Sequence, residues 1–189
     1  MTHTIITPPA AESLTLADVK SHLRLDGSGE DTLLTSLIAA ARQYLEATTG
    51  LALITQTLRF YLDDWPADGL IQLAIAPLQS LESVTVYDAA GNPQAVALTG
   101  YVLDAAASPA RLFLPTLPPT SRTLNGIEID VRAGFGDTGA DVPDALKRAM
   151  LMHVALMYEL RGAVPSDMQP AAIPAGYDRL VSPFRPVRL

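Results

Sequence analysis

The chain of 189 residues contains no cysteine. That excludes disulfides, thiolate metal ligands and a cysteine nucleophile together, and it suits a reducing cytoplasm. Histidine is scarce: His3, His22 and His153 stand far apart, and none belongs to a metal-ligand pattern such as H-E-x-x-H. Basic charge is also short, with 13 Lys and Arg against 20 Asp and Glu and a net charge of −7. This disfavours non-specific nucleic-acid binding, which needs a positive surface against the phosphates, but it leaves room for a protein that DNA merely passes. No apolar run approaches the roughly 18 residues needed to span a membrane. The segment from Met1 to Glu12 has neither the basic start nor the apolar stretch of a signal peptide. No G-x-S-x-G, P-loop or paired metal motif occurs, so the residues support no named reaction and no cofactor or metal site.

What is present is enough apolar material to fold. Hydrophobic residues make up 49% of the chain, above what disorder tolerates, and the length fits one domain or one domain with an insertion. Thr15 caps a first helix, with Asp18 completing a capping-box pair. Leu16, Val19 and Leu23 form its stripe, and Gly27 and Gly29 are expected to end it. A second helix runs from Asp31 to Thr49 and stops at Gly50, with Leu34, Leu37, Ile38, Ala41, Tyr44 and Leu45 at helical spacing. The period then changes to two. Leu58, Phe60 and Leu62 alternate with Thr57, Arg59 and Tyr61 over 54–63, which predicts a half-buried strand. Shorter strands are expected at 70–75, 82–87, 94–98, 101–104 and 111–114, with a hairpin loop at 88–93 and a closing strand at 126–133. Residues 1–13 read as an extended arm.

A long helix over 143–161 is apolar nearly all round. Leu146, Ala149, Met150, His153, Met157 and Leu160 lie on one face, and Leu151, Val154, Ala155 and Tyr158 cover much of the rest. Such a helix is buried on several sides, either at the centre of the core or against a neighbouring subunit. Tyr44, Met150, His153, Met157 and Tyr158 are the candidate contacts of that kind. The order of helices, antiparallel strands and a helix predicts an α+β fold: a helical part (14–50 and 141–162), an inserted β region (54–133) and a tail (163–189), together one domain.

Two motifs carry function arguments. Gly134-Phe135-Gly136-Asp137-Thr138-Gly139 matches G-x-G-x-x-G letter for letter. In a dinucleotide site, however, the helix begins inside the glycine run, and a second strand ends in an acidic residue. Here Pro143 is expected at the first helical position, four residues past Gly139. Asp137 and Asp141 would repel a diphosphate, and a Pro-rich segment follows the helix. A nucleotide-binding enzyme is therefore the minor alternative, and a sheet-to-helix turn the main one. Acidic pairs fare no better as chemistry. Asp63-Asp64 precedes Trp65-Pro66 and reads as a solvated turn, while Glu128 and Asp130 fall on the polar side of their strand. The second motif is the end, Pro183-Phe184-Arg185-Pro186-Val187-Arg188-Leu189. It is basic on an acidic chain, and its prolines predict an extended peptide. It is read as a docking peptide for another protein, against self-packing on its own domain.

Several stretches carry a resemblance in the right order. They are Leu14-Thr15-Leu16-Ala17-Asp18-Val19-Lys20-Ser21-His22-Leu23-Arg24-Leu25-Asp26, Leu37 to Arg42 with Tyr44-Leu45-Glu46 and Thr49-Gly50, and Ile54-Thr55-Gln56-Thr57. Ala133-Gly134-Phe135-Gly136 with Val142-Pro143 and Leu146-Lys147, and Val181 to Arg185, complete the set. Together they resemble the head–tail connector (adaptor, or head-completion) proteins of tailed phages and gene transfer agents. The resemblance implies a non-enzymatic virion protein, assembled in the bacterial cytoplasm. It would form a ring, commonly dodecameric, beneath the portal. It would contact the portal protein through residues 183–189, a stopper or tail-terminator protein, and itself. DNA would pass through the channel without sequence-specific binding, and no membrane is involved. A tail-terminator or stopper ring protein is the nearest alternative.

Overall fold

The computed structural model describes residues 1–161 and 173–185. The chain divides into two compact units: one of Met1–Ala10 and Thr55–Phe135, the other of Ala11–Ile54 and the described part of Gly136–Pro186. The element types follow the sequence periods closely, giving helices in one unit and antiparallel strands in the other.

In the helical unit, α1 (Leu16–Leu23) starts where the capping box predicts. The Thr15 side chain accepts from the Asp18 N–H, and the Asp18 carboxylate accepts from the Thr15 N–H at 2.9 Å. Its end differs from expectation. Arg24, not a glycine, adopts the left-handed conformation (φ 57) and returns its N–H to Lys20 and Ser21 carbonyls. A non-glycine residue bears that conformation because the following loop is tied down: Lys20 Nζ donates to the Gly27 carbonyl and pairs with Asp31 at 2.7 Å. α2 (Asp31–Thr49) ends at Gly50, whose φ of 70 is the left-handed cap that glycine favours. α3 (Asp144–Glu159) is the centre of this unit and packs against α1, α2 and α4 (Tyr177–Val181). Pro143 is its N-cap rather than its first helical residue.

In the β unit, the expected arm is a strand. β1 (Thr2–Thr7) pairs antiparallel with β2 (Gln56–Leu62). The predicted start of β2 at Ile54 falls short because Ile54 instead bridges Gly136 within the helical unit. The other strands are β3 (Leu70–Leu73), β4 (Leu78–Tyr87), β5 (Pro93–Ala95), β6 (Val102–Asp104), β7 (Ala110–Phe113) and β8 (Ile127–Ala133). They form two sheets, ordered β1-β2-β8-β4-β5 and β3-β7-β6. The strand read as closing the region is thus the middle of the larger sheet. β8 supplies one row to the core, Ile127, Ile129, Val131 and Ala133, all fully buried. Leu58 and Phe60 of β2 and Leu81, Val84 and Val86 of β4 continue it. No helix among the described residues is long and apolar enough to cross a membrane.

Candidate functional site

The Gly134–Gly139 turn is filled by the chain itself. A Cβ at Gly136 would lie 2.3 Å from the Asp141 side chain, and one at Gly139 would lie 2.7 Å from the Ser13 carbonyl oxygen. These glycines are needed for close approach by the protein's own atoms. Asp141 folds back over the turn, its Oδ2 accepting from the Thr138 N–H at 3.0 Å and from its hydroxyl at 2.9 Å. The amide that a phosphate would seek is already bound to a carboxylate. α3 begins at Asp144, beyond a short 3-10 turn over Gly139–Asp141. The geometry is that of a closed connection, tied down by its own carboxylate.

The larger sheet carries a charged network on its polar face. Arg59 grips Asp130 through Nε at 2.6 Å and Nη2 at 2.8 Å, and reaches Glu128 through Nη1 at 2.7 Å. The Tyr87 hydroxyl donates to Glu128 at 2.9 Å, and Ser83 Oγ donates to Asp130 at 3.2 Å. Strand register makes this possible, since Arg59 and Ser83 both lie directly across from Asp130. The Asp130 hydrogen bonds raise the Arg59 pKa further above its ordinary value, while burial and the bond to Glu128 raise that of Tyr87. Both carboxylates are acceptors already committed to a fixed cation. The cluster therefore works as a structural tie and has no free base to offer. Asp63 and Asp64 are exposed turn residues that accept from the Asn125 and Trp65 N–H groups.

In the helical unit, Arg42 is the buried counterpart. It is 8% exposed and held by Glu12 at 2.8 Å and Glu46 at 2.9 Å. Glu46 also accepts from the Leu53 N–H at 2.9 Å, which ties the segment after α2 back onto that helix. An open groove along α1 and α3 is lined by Asp18, His22, Asp144, Lys147 and Arg148. Its charges are mixed, and Lys147 is paired with Asp144 at 2.9 Å. No group of three or more metal-ligating side chains occurs among the described residues.

The candidate subunit contacts separate into two kinds. Met150, His153 and Met157 are buried within the helical unit. His153 stacks edge-on against Tyr44 at 5.1 Å and Tyr177 at 5.7 Å. Any role these three have toward a neighbour is exercised by holding α3 in place. Tyr44, 36% exposed, and Tyr158, half-buried beneath the Arg161 guanidinium at 3.9 Å, reach the surface. Sequence reasoning missed Tyr177, the largest fully buried side chain among the described residues. It sits in a Pro- and Gly-rich stretch with no periodicity to mark it.

The tail departs from its predicted form where it is described. Ser182–Phe184 is a 3-10 turn continuing from α4, not an extended peptide. Proline is accepted at the start of such a turn, where its missing N–H is not needed. Arg185 then turns to extended backbone and pairs with Asp178 at 2.8 Å. Pro186, Val187, Arg188 and Leu189 lie outside the described residues.

The chain is similar to known proteins of particle assembly. Residues 13–90 match the family model for phage gp6-like head-tail connector proteins. A chain of the neck of an empty gene transfer agent particle, computed with C6 symmetry, is 31% identical, with a TM-score of 0.83 over 100% of this chain and 97% of that one. The chain belongs to the head–tail connector family. A second chain, from the virion of a native gene transfer agent particle, is 32% identical with a TM-score of 0.81 over 100% of this chain and 97% of the other. A third, from the neck of a native particle computed with C12 symmetry, is 31% identical with a TM-score of 0.79 over the same shares. No curated protein sequence matches. The likeness spans both units, so the β unit is part of what this connector shares with its relatives.

Proposed function

We propose that this connector is a structural component of the neck of a phage-like particle. It forms a ring of about twelve copies that joins the portal to the stopper or tail and extends the DNA channel. The observation that carries this reading is the full-length likeness, at 31% identity, to a chain of a gene transfer agent neck. Twelvefold symmetry in a related neck supports the ring size. The whole chain acts as one adaptor, both units together. It has no catalytic role: the glycine turn is occupied by Asp141, and the acidic pair on β8 is bound to Arg59. A net charge of −7 favours passage of DNA over its capture. Its place is the particle neck, reached by assembly in the bacterial cytoplasm.

The segment Pro183 to Leu189 is the portal-docking peptide in this reading. It is anchored by Tyr177 and the Arg185–Asp178 pair, with Phe184, Val187 and Leu189 as apolar contacts and Arg188 as a carboxylate partner. Among the five candidate ring contacts, Tyr44 and Tyr158 touch the neighbour, while Met150, His153 and Met157 support them from behind. The test is to mix the chain with its cognate portal and image the mixture by electron microscopy, with and without residues 183–189. A ring added by the full chain and lost on deletion is the expected result. No complex with either form would instead favour a stopper or tail-terminator role.

A further inference from the structure

The larger sheet is unfinished at one edge. Its core-facing row runs Leu81, Val131, Leu58 and then Ile5, each directly across from the next. Leu81 is 6% exposed, Val131 0% and Leu58 2%, but Ile5 on the edge strand is 51% exposed. The row of apolar side chains therefore continues past the point where the unit covers it. All six residues of β1 are exposed, and Ile6 adds apolar surface as well. The sheet order ends at β1, so one side of its backbone has no strand partner among the described residues. Exposed edges are ordinarily blunted by lysine, proline, inward charge or short length. Thr2–Thr7 has none of these over six residues, with no Lys, Arg, Asp, Glu or Pro, and its one bulge, the register shift between Ile5 and Thr7, leaves Thr2 to Ile5 in regular register. The opposite edge of the same sheet, β5, has three residues and starts with Pro93.

The small sheet carries a second uncovered surface. Edge strand β6 presents Val102, 60% exposed, directly across from Phe113, 45% exposed, with Tyr101 just before it. Identical subunits set side by side in a closed ring need a heterologous contact, in which two different patches of one chain meet. The β unit has two such patches: the edge strand β1, and the short edge strand β6 with the exposed apolar side chains of Tyr101, Val102 and Phe113 beside it.

We propose that β1 of one copy docks on the β6 edge of the next copy, burying Ile5 and Ile6 against Tyr101, Val102 and Phe113. Backbone pairing between the edges gives affinity, and the apolar side chains set the register. The β unit thereby contributes to the ring directly, in addition to the helices. This inference rests on the neck reading above.

The absence of cysteine makes the test clean. Particles are prepared in which every copy carries Thr4→Cys, Val102→Cys, or both, and purified particles are treated with a short bismaleimide. The double variant is expected to give a ladder of multimers of this chain, and each single variant to remain monomeric. Three outcomes would overturn the inference with the neck reading intact, since the chain is present in the particles in each. They are no ladder from the double variant, dimers from Thr4→Cys alone, or a product cross-linked to a chain of another mass. Absence of the wild-type chain from purified particles would overturn the neck reading itself. Ile5→Lys supplies an independent check, because it places a charge on an already exposed position. Loss of the chain from particles with the melting temperature unchanged is expected, and unaltered assembly would count against the β1 contact.

Discussion

Tyr177→Phe should leave the helical unit as stable as the wild type or more stable at neutral pH, and should remove a weakness at alkaline pH. Tyr177 is 1% exposed, and its hydroxyl has no hydrogen-bond partner among the described residues. An unsatisfied buried hydroxyl costs about 1–3 kcal/mol of lost hydration. Phenylalanine keeps the ring contacts with Tyr44 and His153 at 6.3 and 5.7 Å and drops that cost. Part of the gain is offset by the small void left behind, so a net stabilisation of up to about 1 kcal/mol is expected. Burial, reinforced by Tyr44, pushes the Tyr177 pKa from 10.0 up to about 12, against a smaller opposing effect of Arg185. The folded state therefore holds the proton longer than the unfolded chain. This preference is fully harmless below pH 10, and stability is lost as pH rises from about 10 to about 12. At 1.36 kcal/mol per unit, the wild type should lose about 2 kcal/mol near pH 11.5 that the variant retains. Urea unfolding at pH 7 and pH 11.5, followed by helical circular dichroism, reads the helical unit. Fluorescence of the single Trp65 reads the β unit, where Tyr87 titrates. A variant less stable by more than about 1 kcal/mol at pH 7, or an equal alkaline loss in both proteins, would refute the reasoning.

Other perturbations follow from the same contacts. Arg59→Met should lower β-unit stability by about 2–3 kcal/mol in urea unfolding, because Glu128 and Asp130, 13% and 15% exposed, lose their shared cation. Arg59→Lys should recover little, since a single ammonium nitrogen lacks the planar fork that holds Asp130 through two nitrogens and Glu128 through a third. Gly139→Ala should destabilise the helical unit by about 1–3 kcal/mol, the new methyl meeting the Ser13 carbonyl at 2.7 Å, as a lowered thermal midpoint. Millimolar dinucleotide should leave the wild-type midpoint unmoved, whereas a clear upward shift would reopen the nucleotide reading. Thr15→Ala should cost about 1 kcal/mol through loss of the cap. Thr15 hydrogen bonds hold the Asp18 pKa below 3.8, so the wild type loses this support as pH falls below about 4. The variant should show a weaker acid dependence in that range.

Local physics made much of this protein legible in advance. Thr15 with Asp18, Gly50 after a periodic helix and the alternation around Phe60 each depend on near neighbours, so α1, α2 and β2 could be read from short windows. The same holds for the failure of the glycine fingerprint, which showed in the distance from Gly139 to the helix. Arg24 as a left-handed cap was not legible, because its cost is offset by Lys20 reaching across the loop. Strand pairing was not legible either. β8 and β2 are separated by a long stretch of chain, and nothing in their alternation says which neighbour each takes. Tertiary structure alone turned Arg59, Ser83, Tyr87, Glu128 and Asp130 into one network and put Tyr177 beneath Tyr44 and His153. It also left Ile5 bare at the end of a row whose other members are buried. The sequence by itself determined element type, helix ends set by capping and family membership, since those reside in residues a few positions apart. Which surfaces are spent inside the chain and which remain for a neighbour was decided only by the fold, because burial is set by long-range register.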